Sequence, residues 1–250
     1  MVILKSQAEI EKIGKACRIV AEILAGLKSH VVAGMSTADI ELFIDTEIKK
    51  RKGAAAAFRG YRGYPSSVCV SVNDQVIHGI PSKSVKLKNG DIVGVDLGIV
   101  LDGFYGDAAL TVPVGEIRPE AASLLDATEK ALSLGIEQAV PGNRIGDIGA
   151  AIQQHVEGNG YSVVRAFVGH GVGRSLHEDP QVPNFGRSGQ GIRLKEGMTL
   201  AIEPMVNAGG HDVRILDDGW TAVTSDGSLS AHFEHTIAVT RQGPKILTKP

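Results

Sequence analysis

The chain repeats itself once, and this constrains its architecture more than any other feature. Val32-Ala-Gly-Met-Ser-Thr-Ala-Asp39-Ile40-Glu-Leu-Phe-Ile44 aligns without gaps with Val140-Pro-Gly-Asn-Arg-Ile-Gly-Asp147-Ile148-Gly-Ala-Ala-Ile152, sharing the valine, glycine, aspartate and two isoleucines. At nearly the same distance after each copy an apolar run carries one acid: Asp96 in Gly94-Val-Asp-Leu-Gly98, and Glu203 in Ala201-Ile-Glu-Pro204. Each half therefore reads as a helix followed by an acidic strand. Two similar halves facing each other would leave a cleft between them, where binding sites tend to lie.

Periodicity fills in the elements. Ser6 and Glu9 have the spacing of a capping box, and Ile10, Ile13, Cys17, Val20, Leu24 and Leu27 recur at three and four, so residues 6–28 are predicted to be a helix with one core face. Ser36 and Asp39 open a second helix that ends near residues 51–53, and further helices are expected over 119–140 and 147–157. Alternating and β-branched runs predict strands at 68–72, 92–101, 104–114, 161–168, 199–206 and 232–239. The order is α+β, without the regular alternation of a parallel sheet.

Composition narrows the class. With 43% hydrophobic and 22% charged residues, a chain of 250 residues can bury a full core without disulfides. Cys17 and Cys69 lack metal-type spacing and suit a reducing compartment. A net charge of −2, from 26 basic and 28 acidic side chains, provides no global field for DNA or an anionic membrane. No apolar run is long enough to span a bilayer and no export signal is evident, so a cytoplasmic protein is expected. The 31 glycines exceed the usual share of about 7% and imply many tight turns.

The acids are the chemical clue. Asp102-Gly103 signals a two-residue hairpin, whose register sets Asp96 opposite Ala109 and Asp107 opposite Gly98, with both aspartates on one face. Val93, Val95 and Leu97 take the other face, and Gly94 and Gly98 are expected to leave room above Asp96. Adjacent carboxylates repel unless a cation or a shared proton lies between them, although a solvated sheet face would also tolerate them. Glu203 and Glu234 stand alone in apolar strands, where an isolated ionised carboxylate is costly. In Gly169-His-Gly-Val-Gly173 the flanking glycines are expected to let a ligand approach His170 closely, although most lone histidines are structural. Four carboxylates and one imidazole form an oxygen-rich donor set suited to two hard or borderline divalent ions such as manganese, iron or cobalt, and unlike a structural zinc site.

Asn73-Asp-Gln-Val-Ile-His78-Gly-Ile-Pro81, Gly94-Val-Asp96-Leu-Gly98, Tyr105-Gly-Asp107, Gly169-His170-Gly-Val-Gly-Arg-Ser-Leu-His177-Glu-Asp-Pro180, Ile202-Glu203-Pro-Met205 and Phe233-Glu234-His235-Thr236 together closely resemble the methionine aminopeptidases of the bacterial type I class. The resemblance runs from about residue 6 to 240. It implies an α+β pita-bread fold, in which residues 1–250 form one catalytic domain of two pseudo-symmetric halves, about 1–115 and 116–250. It implies that Asp107 and Glu234 bridge two divalent ions (cobalt, manganese, iron or zinc), that Asp96 completes one site, and that His170 and Glu203 complete the other. Glu203 would also relay protons as general base and then acid, while His177 and His78 would hydrogen-bond the substrate without ligating metal. A methionine pocket would draw on Tyr61, Tyr64, Cys69, Leu176 and Trp220. Leu176 stands where many relatives have phenylalanine, and Phe58 replaces a small residue nearby. Asn73, Gln75 and Ser230 match a monovalent-cation site.

The implied activity is removal of the initiator methionine from nascent proteins with a small second residue. Possible ribosome contact and a monomeric state belong to the same expectation. The short spacing from Glu203 to Glu234 leaves no room for the helical insertion of the type II class. Two alternatives differ in class: an X-Pro aminopeptidase of the same fold, whose relatives carry a large domain before the ligands, and an inactive fold-mate serving as a binding module, which would have lost ligands. A dinucleotide fingerprint at residues 169–173 fails because no helix follows.

Overall fold

The computed structural model describes residues 2–249. Helix α1 (Gln7–Lys28) is capped by Ser6 and Glu9 as the sequence predicts, and buries Ile10, Ile13, Cys17, Val20, Leu24 and Leu27. Helix α2 (Thr37–Lys49) opens on the Ser36–Asp39 box. Strands β1 (Ala54–Ala56), β2 (Cys69–Val72), β3 (Gln75–Ile77), β4 (Ile92–Leu101) and β5 (Phe104–Pro113) follow, then α3 (Pro119–Glu137) and α4 (Ile145–Gly158). The remainder is β6 (Ser162–Val163), β7 (Gly169–Gly171), β8 (Glu178–Val182), β9 (Thr199–Ile202), β10 (Met205–Asn207), β11 (Val213–Ile215), β12 (Ala222–Thr224), β13 (Ser230–His232), β14 (His235–Thr240) and β15 (Gly243–Ile246).

Among the described residues every strand pairing is antiparallel. Strand β4 carries β5 on one edge and β1 and β2 on the other; a second sheet runs β15-β14-β9-β7-β8; two smaller sheets are β13-β10-β6 and β11-β12-β3. The helices cover the outer faces, and one buried apolar cluster runs from α1 and α2 through β4 and β5 to α3, α4, β9 and β14. This is the α+β architecture expected from the sequence.

The repeat has a physical counterpart. Gly34 and Gly142 both have positive φ, +92° and +101°, a conformation costly for other residues. Their N–H groups donate to Leu87 O and Leu194 O, and the N–H groups of Leu87 and Leu194 donate back to Met35 O and Asn143 O. Asp39 and Asp147 each accept the backbone N–H three residues before them, from Ser36 and Arg144, both at 2.7 Å. Leu87 and Leu194 then lead through glycine turns at Gly90 and Gly197 into β4 and β9, the strands that deliver Asp96 and Glu203.

Three strand expectations need correction. The run 199–206 is two strands broken at Glu203-Pro204, and the run 232–239 is broken at Phe233-Glu234. Pro204 has no N–H for a ladder. At the same level the Glu234 N–H leaves its neighbour and donates to Ala109 O of β5 at 2.9 Å. Both glutamates therefore sit where a ribbon passes from one sheet to another, rather than inside strands. The run 161–168 keeps only Ser162–Val163 as strand.

Candidate metal centre and substrate cleft

The hairpin register is the predicted one. Asp96 faces Ala109, Asp107 faces Gly98, and Asp102 and Gly103 turn with φ of 50° and 75°. Asp107 is further held against β14: its N–H donates to Thr236 Oγ1, whose hydroxyl donates back to Asp107 O at 2.7 Å. With the Glu234 N–H bonded to Ala109 O, these contacts bring Asp107 and Glu234 to one point.

His170 occupies the middle of β7. Its Nδ1 lies 2.9 Å from Gly171 O. A carbonyl only accepts, so Nδ1 carries the proton and Nε2 is left bare. That nitrogen lies 3.4 Å from Glu203 Oε1 and 3.9 Å from Asp107 Oδ2. Ligand atoms of Asp107, His170 and Glu234 all fall within 4.8 Å of one another. Asp96 Oδ1, Asp107 Oδ1 and Glu234 Oε1 are buried without a hydrogen-bond partner among the described residues. Buried, unpaired carboxylate oxygens converging on one neutral imidazole nitrogen are costly alone and fit divalent cations.

Electrostatics agrees. Burial, then the neighbouring Asp107, pushes the Asp96 carboxyl well above the usual range. Burial pushes Asp107 up to about 7, against the Ala108 N–H and Asp96, which favour its ionised form. Glu203 and Glu234 are raised by burial and by the aspartates. Burial holds His170 and His78 down at about 4 and His177 and His232 at about 3, so all four imidazoles are neutral near pH 7.

The glycines play a different part from the one expected. A Cβ at Gly169 would lie 2.4 Å from Ala201 O, and one at Gly171 would lie 2.3 Å from Asp179 O, so these residues admit neighbouring strands rather than a ligand. Nor is the space above Gly98 empty: a Cβ there would lie 2.5 Å from the Phe58 ring.

The acids form one end of a cleft whose walls include Tyr61, Tyr64, Cys69, Leu176 and Trp220, together with His78 and His177. Tyr64 donates to Gly79 O at 2.9 Å and meets Trp220 edge-on at 5.1 Å between centroids. Trp220 in turn stands edge-on to His78, whose backbone has φ of 61°, a strained value of the kind that gathers at functional sites. Tyr61 stacks on His177 and its hydroxyl lies 2.9 Å from His177 Nδ1. Phe58 and Leu176 belong to the same buried cluster, so the aromatic ring enters this wall from the β1 side.

Of the cation trio, the Ser230 N–H donates to Asn73 O at 2.9 Å, while Gln75 Oε1 accepts the Val72 N–H. The turn at residues 73–75 thus packs beside β13. Both cysteines are free and buried.

Sequence reasoning passed over His232. It is buried in β13, its Nε2 lies 3.9 Å from Glu203 Oε2 without a hydrogen-bond partner among the described residues, and Thr111 holds its backbone by two hydrogen bonds. Asn184 was also missed; its Nδ2 donates to Glu203 O. A histidine two residues before Glu234 in an apolar run was the available signal for His232; Asn184 had none.

The model of metallopeptidase family M24 matches residues 11–241. The chain belongs to that family, in its methionine aminopeptidase branch. It is 53% identical to a methionine aminopeptidase of Clostridium perfringens over 99% of each chain, and 50% identical to methionine aminopeptidase 1 of Bacillus subtilis over 100% of each. The crystal structure of a methionine aminopeptidase from Thermotoga maritima, 49% identical, superposes over the whole of both chains with a TM-score of 0.98. The antiparallel sheets and outer helices are thus the pita-bread fold of this family. Among the described residues no helix is long and apolar enough to cross a membrane.

Proposed function

We propose that this M24 peptidase removes the N-terminal methionine from nascent proteins whose second residue is small, using two divalent ions. The observation that carries the reading is the convergence of Asp107, His170 and Glu234 at one end of an apolar cleft, with unpaired buried oxygens on Asp96, Asp107 and Glu234. Asp96, Asp107, His170, Glu203 and Glu234 would hold the ions. Bound there, the ions supply Lewis acidity and lower the pKa of a water.

The remaining steps belong to the chain. Glu203, raised in pKa and beside the His170 nitrogen, takes the proton of the attacking water and returns it to the leaving amine. Neutral His177, oriented through Nδ1 by Tyr61, can present Nε2 to the scissile amide as its charge develops. His78 faces the substrate backbone. Tyr61, Tyr64, Cys69, Leu176 and Trp220 surround a flexible thioether, which packs well against aromatic rings. The same reading takes residues 1–250 as one catalytic unit of two pseudo-symmetric halves, supported by the twin turns at Gly34 and Gly142. It includes a monovalent cation near Asn73, Gln75 and Ser230, and a monomer acting on nascent chains in the cytoplasm, at or near the ribosome.

Mass spectrometry of a peptide panel varied at the first two positions tests the reading. Met-Ala, Met-Gly and Met-Ser peptides should lose methionine, Met-Lys, Met-Phe and N-blocked peptides should not, and a chelator should stop all turnover. Leucine in place of methionine should slow cleavage without abolishing it, since an apolar pocket discriminates by only about 1–3 kcal/mol per methylene. Indifference to either position would overturn the specificity.

A further inference from the structure

Outside the cleft, a buried ion pair lies beneath the turn that carries His177. The Lys5 ammonium donates to Glu178 Oε2 at 2.5 Å and to Ile3 O at 3.0 Å, with only 4% of the Lys5 side chain and 8% of the Glu178 side chain exposed. The other carboxylate oxygen, Oε1, accepts the N–H groups of Arg174 at 2.8 Å and Ser175 at 3.1 Å. Lys5 is itself fixed, since its backbone N–H donates to Gly197 O at 2.7 Å. Between the partners passes Gly173, where a Cβ would lie 2.6 Å from Lys5 Cε and 2.7 Å from Glu178 Oε1. Gly173 O accepts the Tyr105 N–H, which ties the turn to β5 two residues before Asp107.

A buried ion pair is often no more stabilising than an apolar pair of the same volume, so stability alone does not account for it. What it adds is fixed geometry. Glu178 can hold the N–H groups of residues 174 and 175 only while its charge is balanced and its carboxylate aimed, and Lys5 does both. The next two residues, Leu176 and His177, face the cleft. We infer that Lys5 is a positioning residue for the peptidase reaction: through Glu178 it sets the turn at 173–178 so that His177 meets the scissile amide. The inference rests on the reading of His177 as a substrate-facing group. Lys5 itself does not line the cleft.

The test uses the full chain loaded with manganese, a Met-Ala-Ser peptide, and the variants Lys5→Met, Glu178→Gln and their double. Because displacing a reacting group by about 1 Å can cost up to about 10²-fold, each single variant should lower kcat by about tenfold or more. KM should change less than kcat, and metal content should stay at the wild-type level. The double variant should be no worse than the worse single one, since each removes the same clamp. The imidazole 15N resonances of His177 should shift or broaden in Lys5→Met while those of the remote His30 and His155 stay put, a signature that a loss of stability alone does not produce. Should Lys5→Met fail to fold, Glu178→Gln, which removes the charge paired with the Lys5 ammonium, gives the same readouts. A wild-type kcat and an unmoved His177 signal in either variant overturn the inference. A wild-type protein that releases no methionine, or a His177→Ala variant with full kcat, would count against the proposed function instead.

Discussion

Stripped of divalent ions, the protein should lose stability as the pH rises from about 6.5 to 8, and a single amide substitution at a proposed metal ligand should restore part of it. Asp107 is 4% exposed, and burial lifts its carboxyl from 3.8 to about 7. Between those values the folded chain holds a proton that the unfolded chain has released. The stability it contributes is full below about 3.8 and is lost as the pH climbs through about 7. The histidines act in the opposite sense, because His78, His170, His177, His232 and His235 are depressed from 6.5 to between about 3 and 4. They favour folding as the pH rises, but only up to about 6.5, above which they are neutral in both states. From there upward the raised carboxyls set the slope, joined toward pH 8 by the buried Cys17 and Cys69 thiols, which burial also pushes up. Each proton held only by the folded chain costs about 1.4 kcal/mol per pH unit, so Asp107 sets a slope of that order up to about pH 7, fading above it. Asp96, Glu203 and Glu234, also raised, steepen the slope. Melting curves in excess chelator at pH 6.5, 7, 7.5 and 8 measure it; at this size 1 kcal/mol moves Tm by roughly 2–4 °C. Metal-free Asp107→Asn should melt above the metal-free wild type at pH 8, the difference shrinking toward pH 5, and it should bind manganese far more weakly. Added manganese should raise the wild-type Tm most at pH 8. A metal-free wild-type Tm that is flat or rising from pH 6.5 to 8, or an Asp107→Asn variant no more stable at pH 8, would refute the account of four acids crowded for a cation.

Two further substitutions probe the neighbouring walls. His177→Ala should lower kcat by roughly 10²–10³-fold with little change in KM, the usual cost of losing a donor to a developing oxyanion. Its metal content should remain normal; loss of metal with activity would make His177 a ligand. Gly106→Ala should cost about 1–3 kcal/mol, because overpacking is costly when the obstacle cannot move. The new Cβ would lie 2.5 Å from Cys17 N and 2.8 Å from Ala16 C, both backbone atoms of α1. A melt within a degree of wild type would show that α1 can yield there.

The sequence by itself determined whatever depends on neighbours along the chain. Capping boxes at Ser6 and Ser36, the core face of α1 and the Asp102-Gly103 hairpin follow from spacing, because a helix repeats every few residues and a two-residue turn admits one register. The placement of Asp96 and Asp107 on one face of the hairpin followed from that register. The repeat announced a second acid-bearing element, and motif resemblance supplied the family. Only the tertiary structure decided what depends on distant contacts. Glu203 and Glu234 read as strand residues because their neighbours are apolar, yet they lie at breaks that arise where the Glu234 N–H crosses to Ala109. The glycines beside His170 make room for β8 and β9, and Phe58 fills the space over Gly98, because only packing says which atom arrives from elsewhere. His232 and the Lys5–Glu178 clamp escaped a linear reading for the same reason. Each joins residues far apart in the chain, and no local periodicity records which buried charge meets which partner.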